Sequence, residues 1–212
     1  RTAAVSAVAT RLLSRGNASE LAIVGSGIQA RAHPVALSAV RPIQRARVFS
    51  PNHDHPKQLA EEMRSQLDFP IEPAATAELA LKDADLIVTA TSARQPVIER
   101  QWVSRGAHIN AIGTYSPRAR EIDGATMAAA RIFVDYRESA MNESGDYLLA
   151  VEEGLITAES LQAEIGEVLL REKPGRVSED EITLFKSLGL AVEDMACAEY
   201  LFAKAKTENV GT

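Results

Sequence analysis

The run Leu21-Ala22-Ile23-Val24 leads directly into Gly25-Ser26-Gly27-Ile28-Gln29-Ala30. A short, continuously apolar run that meets glycine suits a strand buried on both faces of a parallel sheet. The G-x-G-x-x-A spacing then gives each small residue a physical task. Gly25 permits a tight turn, Gly27 lets backbone approach a pyrophosphate, and Ala30 lets the next helix pack closely on the strand. Free N–H groups and the positive end of the helix dipole hold the anion, with Ser26, Ile28 and Gln29 supplying the remaining backbone of the cradle. The pattern by itself also describes an ordinary strand-to-helix turn, so the rest of the chain has to decide.

It repeats the alternation. Thr2 to Ser14 reads as a helix ended by Gly16-Asn17, residues that tolerate the left-handed conformation of a helix C-terminus. Ala30 to Val40 reads as helix, Ala46 to Ser50 as a second strand closed by Pro51, and Lys57 to Gln66 as helix. Ile71 to Pro73 is a weak third strand and Thr76 to Lys82 a short helix. Asp85 to Thr91, His108 to Gly113 and Arg131 to Asp135 complete the strands. This predicts an α/β fold: a Rossmann-type doubly wound, mostly parallel sheet with helices on both faces, joined by right-handed crossovers. In that context the glycine turn is read as a dinucleotide site. From Gly145 onward the chain reads as helical, with Ser178 to Lys186 and Leu190 to Lys204 as the best segments. The expected division is a linking helix over residues 1–16, a dinucleotide-binding domain over 17–146 and a helical C-terminal segment over 147–212. The chain opens inside a helix without Met, which points to more protein upstream.

Composition narrows the partner. With 46% hydrophobic residues, 25% charged residues and a net charge of −6, the 212-residue chain lacks the clustered Lys and Arg of a nucleic-acid surface. A small molecule is expected instead. Cys197 stands alone, so it builds no disulfide within one chain, and it is read as a buried structural thiol. No apolar run is long enough to span a bilayer and no signal peptide is visible, so no membrane partner and a cytoplasmic location are expected. His33, His53, His55 and His108 form no metal-ligand spacing, and no metal is assigned. No Ser-His-Asp or Cys-His nucleophile pattern is visible.

The second strand addresses cofactor choice. NAD enzymes usually end it with Asp or Glu, which accepts from the adenosine ribose and repels a 2′-phosphate. Here the tip reads Phe49-Ser50-Pro51-Asn52-His53. Ser50, Asn52 and His53 offer donors for a 2′-phosphate, so NADP(H) is preferred and NAD(H) is admitted. The same residues also fit a plain solvated loop.

Six segments in order carry a resemblance. They are Arg1-Thr2-Ala3-Ala4, the Gly25–Ala30 turn, Ala84 to Ser92, His108 to Gly113, Glu143-Ser144-Gly145-Asp146, and Asp180 to Gly189. Together the chain resembles the ornithine cyclodeaminase/mu-crystallin family over essentially its whole length. The resemblance implies a bound NAD(H) or NADP(H), and a homodimer formed largely through an upstream substrate domain that is absent here. It implies that Arg1 holds the substrate carboxylate, a role suited to its planar fork. It places Thr91 and Ser92 over the cofactor ribose, Ile112 and Gly113 beside the nicotinamide, Ser187 near the carboxamide, and Glu143 to Asp146 beside the cofactor.

One departure bears on chemistry. True ornithine cyclodeaminases carry Asp two residues after the position of Gly113, and this chain has Tyr115 there, in Gly113-Thr114-Tyr115-Ser116-Pro117. A phenol is a poor substitute for a carboxylate base at neutral pH. The expected activity is therefore that of the ketimine reductase and alanine dehydrogenase-like members: reducing the C=N bond of a small α-imino acid, or oxidising the matching amine, with the proton donor upstream. Ornithine cyclodeamination and a non-catalytic, crystallin-like NADP(H)-binding protein are the alternatives.

Overall fold

The computed structural model describes residues 1–211, and position 212 of the expected C-terminal segment lies outside the described residues. Helix α1 (Thr2–Leu13) precedes strand β1 (Glu20–Val24), helix α2 (Ile28–Ser38), strand β2 (Arg45–Phe49), helix α3 (Asp54–Met63) and strand β3 (Ile71–Pro73). Helix α4 (Ala77–Leu81), strand β4 (Leu86–Thr89) and strand β5 (His108–Ala111) follow. Next come helix α5 (Gly124–Ala129), strand β6 (Ala130–Val134), helices α6 (Arg137–Glu143) and α7 (Gly145–Glu152), strand β7 (Leu161–Glu164) and helix α8 (Ile165–Leu169). Strand β8 (Ile182–Lys186) and helix α9 (Ala191–Glu208) complete the set.

The strands form one eight-stranded sheet in the order β3-β2-β1-β4-β5-β8-β6-β7, and every pairing between them is parallel. Both faces are covered, which is why the central strands are apolar without alternation. Leu21 and Ile23 of β1 pack with Leu37 of α2 and Leu59 of α3, while Ala22 and Val24 pack with Leu81 of α4 and Ile109 of β5. Farther along, Phe133 and Phe185 pack against Ala9 and Leu13 of α1. Helix α1 is thus part of the sheet's covering layer. This is a Rossmann-type α/β fold.

Two expectations are corrected. The stretch Ser178 to Lys186 is not helical: Ile182–Lys186 is a strand, buried at every position, lying between β5 and β6. The acidic prefix Ser178-Glu179-Asp180-Glu181 imitates a helix start, but Ile182-Thr183-Leu184-Phe185 is β-branched and aromatic and fills a slot open on both faces. Residues 147–211 accordingly supply two strands, β7 and β8, besides helices. Cys197 is half-buried rather than buried, because α9 has no buried residue along its length. No helix among the described residues is long and apolar enough to cross a membrane.

Candidate functional site

The order β2-β1-β4 reverses the direction of strand succession at β1, and ligands in open α/β sheets sit beyond the carboxyl ends of the strands at such a point. Gly25 occupies it with φ of +122°, and a Cβ there would overlap the Ala90 carbonyl oxygen. Only glycine lets the turn lie this close to the end of β4. Gly27 differs: its φ of −80° is open to any residue, and a Cβ would meet nothing within 4 Å. The space it leaves is outside the protein's own packing, at the N-terminus of an 11-residue helix that has no side-chain cap and no acid in its first turn. Uncommitted N–H groups, a positive dipole end and room for close approach suit a pyrophosphate.

Beyond this turn lies a cleft of about 490 Å³. It brings together most of the residues singled out in the sequence: Arg1, Gly27, Ile28, Gln29, Thr91, Ser92, Ile112, Gly113 and Ser187, with Tyr115 at its border. They come from the turn after β1 and the first residues of α2, from the loops after β4, β5 and β8, and from the residue that precedes α1. Ile28, 84% exposed, forms one wall. The Arg1 guanidinium already faces carboxylates of α9, Asp194 directly and Glu193 at 3.9 Å.

The tip of β2 lies to one side. The Ser26 hydroxyl donates to Ser50 Oγ at 3.1 Å, and Ser50 is buried. Asn52 Oδ1 accepts the Asp54 N–H at 3.0 Å, while His53 is exposed. Asp54 points to Lys57 at 3.3 Å. No carboxylate closes the strand end itself.

Four buried groups beneath the cleft escaped the sequence reading or carried another role in it. Glu121, fully buried, accepts the Thr91 N–H at 2.7 Å on Oε1, and on Oε2 the Gly113 N–H at 2.7 Å and the Thr89 hydroxyl at 3.0 Å. Burial pushes its carboxyl above the usual range, the Lys186 charge opposes this, and three converging donors favour the ionised form. Asp146, expected beside the cofactor, is entirely buried instead. It accepts the backbone N–H groups of Glu121 at 2.7 Å and Ile122 at 2.9 Å and the Thr114 hydroxyl at 3.0 Å. Lys186 Nζ lies 2.9 Å from its Oδ2 and donates to the Thr114 carbonyl at 2.7 Å. Gly145 opens α7, and a Cβ there would overlap backbone carbonyls of Ser116 and Ala119. Asp135 accepts the Ser187 hydroxyl at 3.1 Å and the Leu188 and Gly189 N–H groups at 2.6 Å, fixing the loop after β8. The one signal in the sequence for this network is Lys186 closing the apolar run Ile182-Thr183-Leu184-Phe185.

His33 and His108 are both buried and structural. His33 bridges Gln29 O at 2.7 Å and Ser6 Oγ at 2.9 Å, tying α2 to α1. His108 Nδ1 lies 2.9 Å from Thr183 Oγ1, and burial, reinforced by the Arg176 charge, lowers its pKa to about 3.

The sequence profile of the ornithine cyclodeaminase/mu-crystallin family matches residues 1–209. The chain belongs to that family. Among its relatives, a Δ1-pyrroline-2-carboxylate reductase of Bacillus cereus is 39% identical over 212 residues, all of this chain and 65% of the relative. The Thermococcus litoralis Δ1-pyrroline-2-carboxylate reductase, solved with NADH and L-proline, superposes with a TM-score of 0.96 at 39% identity, over 100% of this chain and 65% of that one. An archaeal alanine dehydrogenase dimer with bound NAD superposes with a TM-score of 0.92 at 34% identity, again over 100% and 65%. The chain thus spans just under two thirds of the length of these family members.

Proposed function

We propose that this chain is the nucleotide-binding part of a nicotinamide-dependent oxidoreductase that acts on the C–N bond of small α-imino or α-amino acids. One observation carries the reading: the cleft joins the uncapped α2 N-terminus at Gly27 to the Thr91, Gly113 and Ser187 loops and to Arg1, all at one end of a parallel sheet. In this reading the α2 N–H groups hold the pyrophosphate, and Thr91 and Ser92 border the ribose. Ile112, Gly113 and Ser187 flank the nicotinamide, which when bound supplies or takes the hydride. Arg1 receives the substrate carboxylate in exchange for its α9 partners. Reduction adds a hydride to the imine carbon and a proton to its nitrogen, and the cleft walls orient the carbon and limit water.

The relatives support this chemistry, one having been solved with NADH and L-proline and another as a dimer with NAD. A homodimeric whole protein is part of the proposal. So is a preference for NADP(H) over NAD(H), which rests on the strand tip Phe49-Ser50 having no acid to repel a 2′-phosphate. Tyr115 favours imine reduction over cyclodeamination, which also needs a base near the substrate carbon.

The test is turnover by the full-length protein with NADPH and NADH on cyclic ketimine carboxylates, pyruvate plus ammonia, and ornithine. Imine reduction without proline release from ornithine is expected. Proline formation with no imine reduction would overturn the assignment, and nucleotide binding without any turnover would leave a carrier.

A further inference from the structure

Beside the main cleft lies a second of about 420 Å³, sharing Ser92, Gly113 and Tyr115 with it. Arg94, on the loop after β4, and Arg118, on the loop after β5, both line it, and no acidic residue does. Among the described residues of this chain, neither guanidinium has an ion-pair or hydrogen-bond partner. Among the described residues this holds elsewhere only for Arg11 and Arg171, which are remote from the clefts. The contrast is local: Arg120, two residues past Arg118, is committed to Glu153 at 2.7 Å, and Arg1 in the adjoining cleft faces Asp194 and Glu193. In a chain of net charge −6, two unbalanced cations on facing loops of one cavity are a concentrated departure. Both side chains are exposed at the cavity's rim, and the planar fork of a guanidinium matches a carboxylate.

We propose that this second cleft is a subsite for a distal carboxylate of the substrate, so that the preferred substrates are dicarboxylic α-imino acids or the matching amino dicarboxylates. The inference rests on the functional reading above. The nucleotide phosphates do not supply the anion, because their cradle at Gly27 opens into the first cleft and not into this one. Tyr115 borders both cavities, so a substrate passing beside it presents its α-carboxylate towards Arg1 and its far end towards Arg94 and Arg118.

The test compares kcat/KM of the full-length protein on 2-oxoglutarate or oxaloacetate plus ammonia with kcat/KM on pyruvate plus ammonia, in the wild type and in Arg94→Gln/Arg118→Gln. The wild type is expected to favour the dicarboxylic acids at least tenfold. The double variant is expected to lower that ratio about tenfold, mainly through KM. An unchanged ratio in an active variant overturns the subsite and leaves the oxidoreductase reading intact. If no imine is reduced at all, that reading fails, and the subsite is decided by calorimetry. Glutarate should bind the wild type more tightly than butyrate, and lose that advantage in the double variant. Equal binding of the two, or binding of inorganic phosphate that glutarate does not displace, overturns the subsite.

Discussion

The Glu121 carboxylate accepts the Gly113 N–H at 2.7 Å and also occupies the space where any side chain at position 113 would begin. The same carboxylate holds Thr91, so the loops after β4 and β5 are tied to a single buried anion. Replacing it with Gln puts an NH2 against one of two backbone donors. A hydrogen bond to a charged group contributes about 1.5–3 kcal/mol, so Glu121→Gln should weaken NAD(P)H binding roughly tenfold or more. Fluorescence titration of the folded variant measures this, and unaltered affinity would show that the tie does not shape the cleft.

The two glycines of the phosphate turn should fail in different ways. Gly27→Val adds a branched side chain in open space at an ordinary backbone angle, so the protein should keep its melting temperature and lose nucleotide binding. Gly25→Ala overlaps the Ala90 carbonyl at a positive φ and should destabilise the fold itself by at least about 1–3 kcal/mol. Melting curves with and without NADPH separate the outcomes; a Gly27→Val protein that NADPH still stabilises contradicts the assignment.

Lys186 and Asp146 face each other with 1% and 0% of their side chains exposed. Lys186→Met leaves the Asp146 charge buried with only its neutral donors, and should cost about 3–5 kcal/mol. Urea unfolding checks this. A loss below about 1 kcal/mol would mean that the backbone donors of Glu121 and Ile122 suffice.

Acid sensitivity should report His108. Its folded pKa of about 3 lies below its ordinary value of 6.5, so the folded state binds fewer protons between these limits. The stability it contributes is fully present above pH 6.5 and is lost as pH falls towards 3. At pH 5 the expected loss is about 2 kcal/mol. His108→Asn keeps a donor for Thr183 and should flatten that slope in urea midpoints taken at pH 7 and 5.

The sequence made the phosphate turn and the strand ends around it legible because their requirements are local. Gly25 to Ala30 carries its own steric logic, and Thr91 and Gly113 each follow a recognisable strand, whereas Ser187 was placed by the resemblance alone. Glu121 was not legible: its partners are 8, 30 and 32 residues away, and nothing in its surroundings distinguishes it from a surface acid. Strand β8 was misread for a similar reason. Its acidic prefix is a local helix signal, whereas the slot between β5 and β6 exists only once the sheet is assembled. Arg94 and Arg118 are plain surface arginines until two loops bring them to one cavity.

The position of β8 also has a consequence for biosynthesis. His108 of β5 meets Thr183 across 75 residues of chain, and among the described strands β6, made earlier, pairs into the half of the sheet running from β3 to β5 only through the same late strand. While a ribosome is still translating residues 135–181, β5 has an unpaired edge and β6 has no link to the half already made. A message truncated in that interval would therefore yield two unjoined pieces of sheet with exposed backbone donors and acceptors, a form that chaperones bind and proteases remove.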